Sequence, residues 1–161
     1  MRLSYGVSIL GLLGVVVVFA TSVIGLGRGK PVFIYNLLDL KPTTWDGPAL
    51  GAGKHTIVFD FKSDGPGLGN GGTGVLSVDG KEVARNSMEH TTSVTFTEDE
   101  SFDIGKDTRT GISLLKYSYD VPFKFTGTIN KLTFNLEPEQ LTAEEHKQLP
   151  AIADAVARAK D

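Results

Sequence analysis

The sequence predicts a mainly β protein, an antiparallel β-sandwich, and three observations carry that prediction. In KHTIVFDFK, Ile57, Phe59 and Phe61 fall on one side while Thr56, Val58, Asp60 and Lys62 fall on the other. That period of two belongs to a half-buried strand. Asp79-Gly80 separates TGVLSV from KEVA, and these residue types accept the positive φ values of a type I′ hairpin turn. From Gly29 onward, short apolar segments alternate with turn residues, the layout of several short strands rather than of alternating strands and helices.

The chain of 161 residues fits one domain with short appendages. Its 16 Lys+Arg against 19 Asp+Glu leave no basic footprint for nucleic acid. There is no Cys, which excludes disulfides, thiolate metal sites and a Cys nucleophile. His55, His90 and His146 stand in three separate segments, so a metal or acid–base cluster would require the fold to gather them.

Taken in order, residues 1–27 read as an apolar helix outside the β domain. No charged residue occurs from Leu3 to Gly27, and about 20 apolar residues suffice to cross a bilayer. Arg2 supplies the positive start of an export signal, and Val18 and Ala20 are small enough for cleavage after Ala20. A cleaved signal peptide and an uncleaved membrane anchor both fit, placing the protein in an exported, periplasmic or membrane-anchored location. A buried strand pair is the third reading, disfavoured by the four valines Val15 to Val18 inside so long a run. Arg28 and Lys30 follow the run as Arg2 precedes it, so flanking charge does not orient an anchor.

Residues 29–137 form the predicted β domain. PVFIYNLL, Pro31 to Leu38, is rich in β-branched and aromatic residues and reads as a strand. Trp45 with Asp46 sits in a Pro/Gly-bounded loop, TTWDGPAL. An exposed indole there would stack on a sugar ring; a ring covering a sheet edge or a domain interface is the alternative. GLGNGG, Gly67 to Gly72, satisfies the G-x-G-x-x-G pattern. A strand follows it, however, whereas a dinucleotide site needs a helix N-terminus; the glycines read as a connection between strands. TTSVTF alternates at Val94 and Phe96, again as a strand.

Asp99, Glu100, Asp103 and Asp107 crowd EDESFDIGKD. Hard oxygen ligands on a loop suit Ca²⁺, but Lys106 opposes a cation and no EF-hand alternation is present, so a solvated acidic loop is the other reading. Tyr117, Tyr119, Phe123 and Phe125 surround Pro122 and read mostly as core. In GTINKLTFNL the apolar positions Ile129, Leu132, Phe134 and Leu136 become strand-like from Leu132 onward, with an irregularity at Asn130-Lys131. Residues 138–161 form a helical tail: Thr142-Ala-Glu-Glu145 has the capping-box form. Pro150 is expected to end or kink a first short helix near Leu149, before a second with Ile152, Val156 and Ala159 as its apolar stripe.

The phrases GKPVFIYNLLDL, GKHTIVFDFKSDG, GNGGTGVLSVDGKEVA, DESFDIGKDT and VPFKFTGTINKLTFNL together resemble the C-terminal region of large bacterial arylsulfatases, in order and approximate spacing from about Gly29 to about Leu136. The resemblance implies a sandwich, jelly-roll or laminin-G-like, that follows an alkaline-phosphatase-like catalytic domain in the complete enzyme. That domain, encoded separately, would be its partner. Sulfatases require Cys-x-Pro-x-Arg or Ser-x-Pro-x-Arg, whose first residue becomes the formylglycine nucleophile. The chain has neither, and Ser63-Asp-Gly-Pro66 has the wrong spacing. The family's metal-binding Asp and Asn residues belong to the catalytic domain, so no cofactor is carried over. The resemblance therefore implies no sulfatase activity from this chain alone, and an exposed apolar patch where the catalytic domain would sit. The segment before Gly29 does not share the resemblance, which fits a reading frame that begins inside or beside an interrupted sulfatase gene. The second reading is a stand-alone glycan-binding module, exported or membrane-anchored, with Trp45 and Asp46 as its contact residues.

Overall fold

The computed structural model of the chain describes residues 2–10, 16–19, 22–27, 29–37, 41–65, 69–91, 103–104, 106–107, 122–136 and 141–158. In chain order the strands are β1 (Arg2–Leu10), β2 (Val16–Phe19), β3 (Ser22–Gly27), β4 (Lys30–Leu37), β5 (Lys41–Asp46) and β6 (Lys54–Ser63). They continue as β7 (Asn70–Val78), β8 (Lys81–His90), β9 (Asp103–Ile104), β10 (Lys106–Asp107), β11 (Phe123–Lys124) and β12 (Thr128–Leu136), followed by helix α1 (Ala143–Arg158). One five-stranded sheet has the order β12-β1-β6-β7-β8, a second β5-β4-β3-β2-β9, and β10 and β11 form a two-stranded sheet. Every paired strand is antiparallel.

The mainly antiparallel character is as predicted; the N-terminal helix is not. The described residues of the apolar run form β1, β2 and β3. β1 lies between β12 and β6, with Leu3, Tyr5 and Val7 registered against Phe61, Phe59 and Ile57. The physical reason lies in RLSYGVSIL itself: Leu3, Tyr5, Val7 and Ile9 alternate with Ser4, Gly6 and Ser8, a period of two that matches β6. β2 and β3 pair as a short hairpin through Val16–Phe19 and Ser22–Gly25, and valine runs suit a strand better than a helix because β-branching restricts χ1. A strand in a sheet and a helix across a bilayer are mutually exclusive states of one segment. No helix among the described residues is long and apolar enough to cross a membrane.

The alternation of β6 turns Ile57, Phe59 and Phe61 inward, where all three are buried. They meet Leu76 and Val78 from β7, Met88 from β8, and Phe33 and Trp45 from β4 and β5, with Phe125 completing the cluster. Phe33 stacks on Phe59 with ring centroids 3.5 Å apart, and Trp45 meets Phe59 edge to face at 5.0 Å. Residues of the two five-stranded sheets thus share one apolar core. The rings come this close because β7 carries Gly74: a Cβ there would stand 2.6 Å from the Phe59 ring and 2.7 Å from the Trp45 ring. On one side, edge strands β5 and β8 are tied by Asn86 Nδ2 donating to the Thr44 carbonyl at 3.2 Å and by the Lys41–Glu89 ion pair, also at 3.2 Å.

The β7–β8 turn is the predicted one, with φ of 50° at Asp79 and 80° at Gly80, both positive as a type I′ turn demands. Of the predicted glycine connection, Gly69 precedes β7 while Gly71 and Gly72 already belong to it, so a strand, not a helix, holds these glycines. The irregularity predicted at Asn130-Lys131 is a register shift, since Ser8 pairs with Lys131 but Ile9 pairs with Ile129. Phe125 is buried as expected; the strand read at TTSVTF and the positions of Tyr117 and Tyr119 lie outside the described residues.

α1 is one continuous helix with Pro150 inside it, where two shorter helices were predicted. Its start carries the capping box: Glu145 N–H donates to Thr142 Oγ1 at 3.2 Å, and Thr142 N–H donates to Glu145 Oε2 at 2.9 Å. Two otherwise orphaned N–H groups are satisfied this way. Proline removes its own N–H donor and crowds the carbonyl four residues back, yet the helix runs through it to Arg158.

Candidate functional site

Trp45 offers no face to a sugar. Its side chain is 1% exposed, ringed by Phe33 and Phe59, and its Nε1–H donates to the Gly74 carbonyl at 2.7 Å. The local cause is β5, KPTTWD, whose odd residues Thr43 and Trp45 face inward as a strand does. Asp46, the other residue expected to contact a glycan, is exposed at the end of that strand and on its opposite face.

The acidic residues expected around Ca²⁺ fare differently. Asp99 and Glu100 lie outside the described residues. The backbone places Asp103 on β9, opposite Val18 of β2, and Asp107 on β10, opposite Phe123 of β11. The two therefore belong to different strand pairs rather than to one loop. Among the described residues no group of three His, Asp or Glu side chains gathers around a common point. Among the described residues Phe134 on β12 is the large apolar side chain left exposed.

What the fold does gather is His55 and Asp79. β6 carries His55 on the same side as Ile57, and the register of Ile57 against Val78 brings the β7–β8 turn over it. Asp79 is fixed first by backbone: its N–H donates to the Thr56 carbonyl at 2.8 Å, and its Oδ1 accepts from Thr56 N–H at 2.8 Å. Its other oxygen, Oδ2, lies 2.8 Å from His55 Nδ1, and His55 Nε2 lies 3.0 Å from the Gly51 carbonyl oxygen. The hydrogen bond to Asp79, then that to Gly51, raises the His55 pKa above its ordinary value. The same bond to His55, joined by the Thr56 N–H, holds the Asp79 carboxyl below its ordinary value.

Separation by 24 residues hid this pair in the sequence. Two signals could have found it: the shared parity of His55 with Ile57, and the Asp-Gly turn, which fixes how far β7 runs along β6. Chemically the pair is a clamp: both imidazole nitrogens face oxygen acceptors, the Asp79 carboxylate and the Gly51 carbonyl. His90 and His146 are on β8 and α1 and do not join it.

No family model matches the chain, and no curated protein or solved structure matches it either.

Proposed function

We propose that the chain is a non-catalytic β-sandwich module, jelly-roll or laminin-G-like in layout, of the kind that follows the catalytic domain of an arylsulfatase, and that it acts by packing against such a domain. The observation that carries this reading is where the resembling phrases fall in the fold. GKPVFIYNLLDL supplies Phe33, GKHTIVFDFKSDG supplies Ile57, Phe59 and Phe61, and GNGGTGVLSVDGKEVA supplies Gly74, Leu76 and Val78. These are the residues that build the core and permit its close ring contacts, so the resemblance follows the part of a sequence that specifies a fold. On this reading the chemistry belongs to the partner, in keeping with a sequence that carries no formylglycine motif. Glycan stacking by Trp45 has no support in its burial.

The test is a titration of the full chain into an arylsulfatase catalytic domain whose own C-terminal region has been removed. The expected result is a rise in that domain's Tm that grows with chain concentration, as binding to the native state requires, while the chain alone hydrolyses no aryl sulfate. A Tm that stays fixed at saturating chain, or hydrolysis by the chain alone, contradicts the proposal.

A further inference from the structure

The stretch from Gly47 to Gly53 carries the chain from β5 in one sheet to β6 in the other. Its seven residues, GPALGAG, contain no ionisable side chain. Backbone bonds hold its first half: Gly47 N–H donates to the Pro31 carbonyl at 2.7 Å, and Leu50 N–H donates to the Gly29 carbonyl at 2.9 Å. The next carbonyl, that of Gly51, is held by His55 Nε2 at 3.0 Å. A carbonyl oxygen and a carboxylate oxygen only accept hydrogen bonds, so the ring must donate at both nitrogens to satisfy both contacts. Only the imidazolium does so.

We propose that His55 is a protonation-dependent latch: as an imidazolium it ties the 47–53 connection to the β7–β8 turn, and as a neutral imidazole it releases the connection at Gly51. The release is at Gly51 and not at Asp79 because of what else holds each partner. Asp79 keeps two bonds to Thr56 whatever the ring does, and a neutral ring with its proton on Nδ1 still donates to the carboxylate. Nε2 then presents a lone pair to the Gly51 oxygen, and the contact turns repulsive.

Among the described residues the charges around the ring are few. Asp79 comes from the turn; Lys54 and Lys81 flank the pair in sequence and are exposed; the connection itself brings none; and β1 registers Ile9 opposite His55. The His55 side chain is 21% exposed and that of Asp79 51%, so solvent protons reach both. The raised His55 pKa gives stability that is complete below the unfolded value of about 6.5 and is lost as pH rises through the folded value. The lowered Asp79 pKa gives stability complete above its unfolded value of about 3.9, lost as pH falls through the folded one. The latch is therefore fully closed between these two limits, in mildly acid solution, and opens towards alkaline pH.

The test is an NMR titration of the full chain, following the His55 ring and the exchange of the Leu50 amide, with His55→Gln beside it. The expected result is a ring midpoint above about 6.5 and a loss of Leu50 protection at the same midpoint. In His55→Gln that loss disappears and only the ordinary base catalysis of exchange remains. A ring that titrates at or below its ordinary value overturns the latch, as does Leu50 protection following the same pH course in both proteins. Should His55→Gln fail to fold, the wild-type midpoints decide: coincidence supports the latch and separation overturns it.

Discussion

Trp45→Ala is expected to destabilise the protein by about 3–5 kcal/mol, the range for removing a buried large aromatic ring. The indole is 1% exposed and packs edge to face against the stacked Phe33 and Phe59 rings, so its loss opens a cavity at the seam between the sheets. The Gly74 carbonyl also loses the Nε1–H donor it holds at 2.7 Å, which adds to the cost. Trp45→Phe separates the two effects, restoring much of the ring volume without the donor, and is expected to recover part of the loss. Urea denaturation followed by circular dichroism checks both variants, since the only tryptophan cannot then serve as the probe. A Trp45→Ala protein as stable as wild type, with weakened retention on a polysaccharide gel, would instead place the ring on the surface as a sugar contact.

Removal of residues 1–20 is expected to abolish cooperative folding. The deletion takes away β1, which pairs with β12 along one side and β6 along the other, and also β2, which lies between β3 and β9. Both five-stranded sheets lose an internal strand. β6 and β12 would each expose a row of unpaired N–H and C=O groups, a template for aggregation. No local rearrangement repairs this, because the register of β6 sets Ile57, Phe59 and Phe61 against β1 positions. A thermal melt of the chain beginning at Thr21 is expected to show no sigmoidal transition, with the protein aggregating at concentrations where the full chain stays in solution. A leader cleaved after Ala20 requires the opposite outcome, a truncated chain that melts as sharply as the full one.

These two variants mark where the sequence was legible and where it was not. β6, the Asp79-Gly80 turn and the capping box were readable because each is set by neighbours in sequence: alternation, two turn residues, or a four-residue cap. The described residues of the apolar run were expected as a helix and form strands, because composition and periodicity disagree there. Uncharged length argued for a bilayer helix, while Leu3, Tyr5, Val7 and Ile9 spaced by Ser4, Gly6 and Ser8 argued for a strand. An apolar run does not by itself distinguish the two. Trp45 was misplaced for a related reason. The Gly-Pro after it signals a loop, but the burial of Thr43 and Trp45 follows the two-residue period of β5, which only its pairing with β4 reveals. The His55–Asp79 clamp depends on β6–β7 register, a tertiary quantity that no short window contains. α1 runs through Pro150, where local propensity alone would stop it.

Amide hydrogen exchange of the full chain measures most directly whether the N-terminal segment is part of the fold. The amides of β1, Arg2–Leu10, lie between two partner strands. They are expected to exchange as slowly as those of Ile57 to Phe61 in β6, since protection follows the stability of the unit a strand belongs to. β1 amides that exchange at the rate of an unstructured peptide while β6 stays protected would contradict it, and would return residues 1–27 to the role of a leader or anchor outside the sheets.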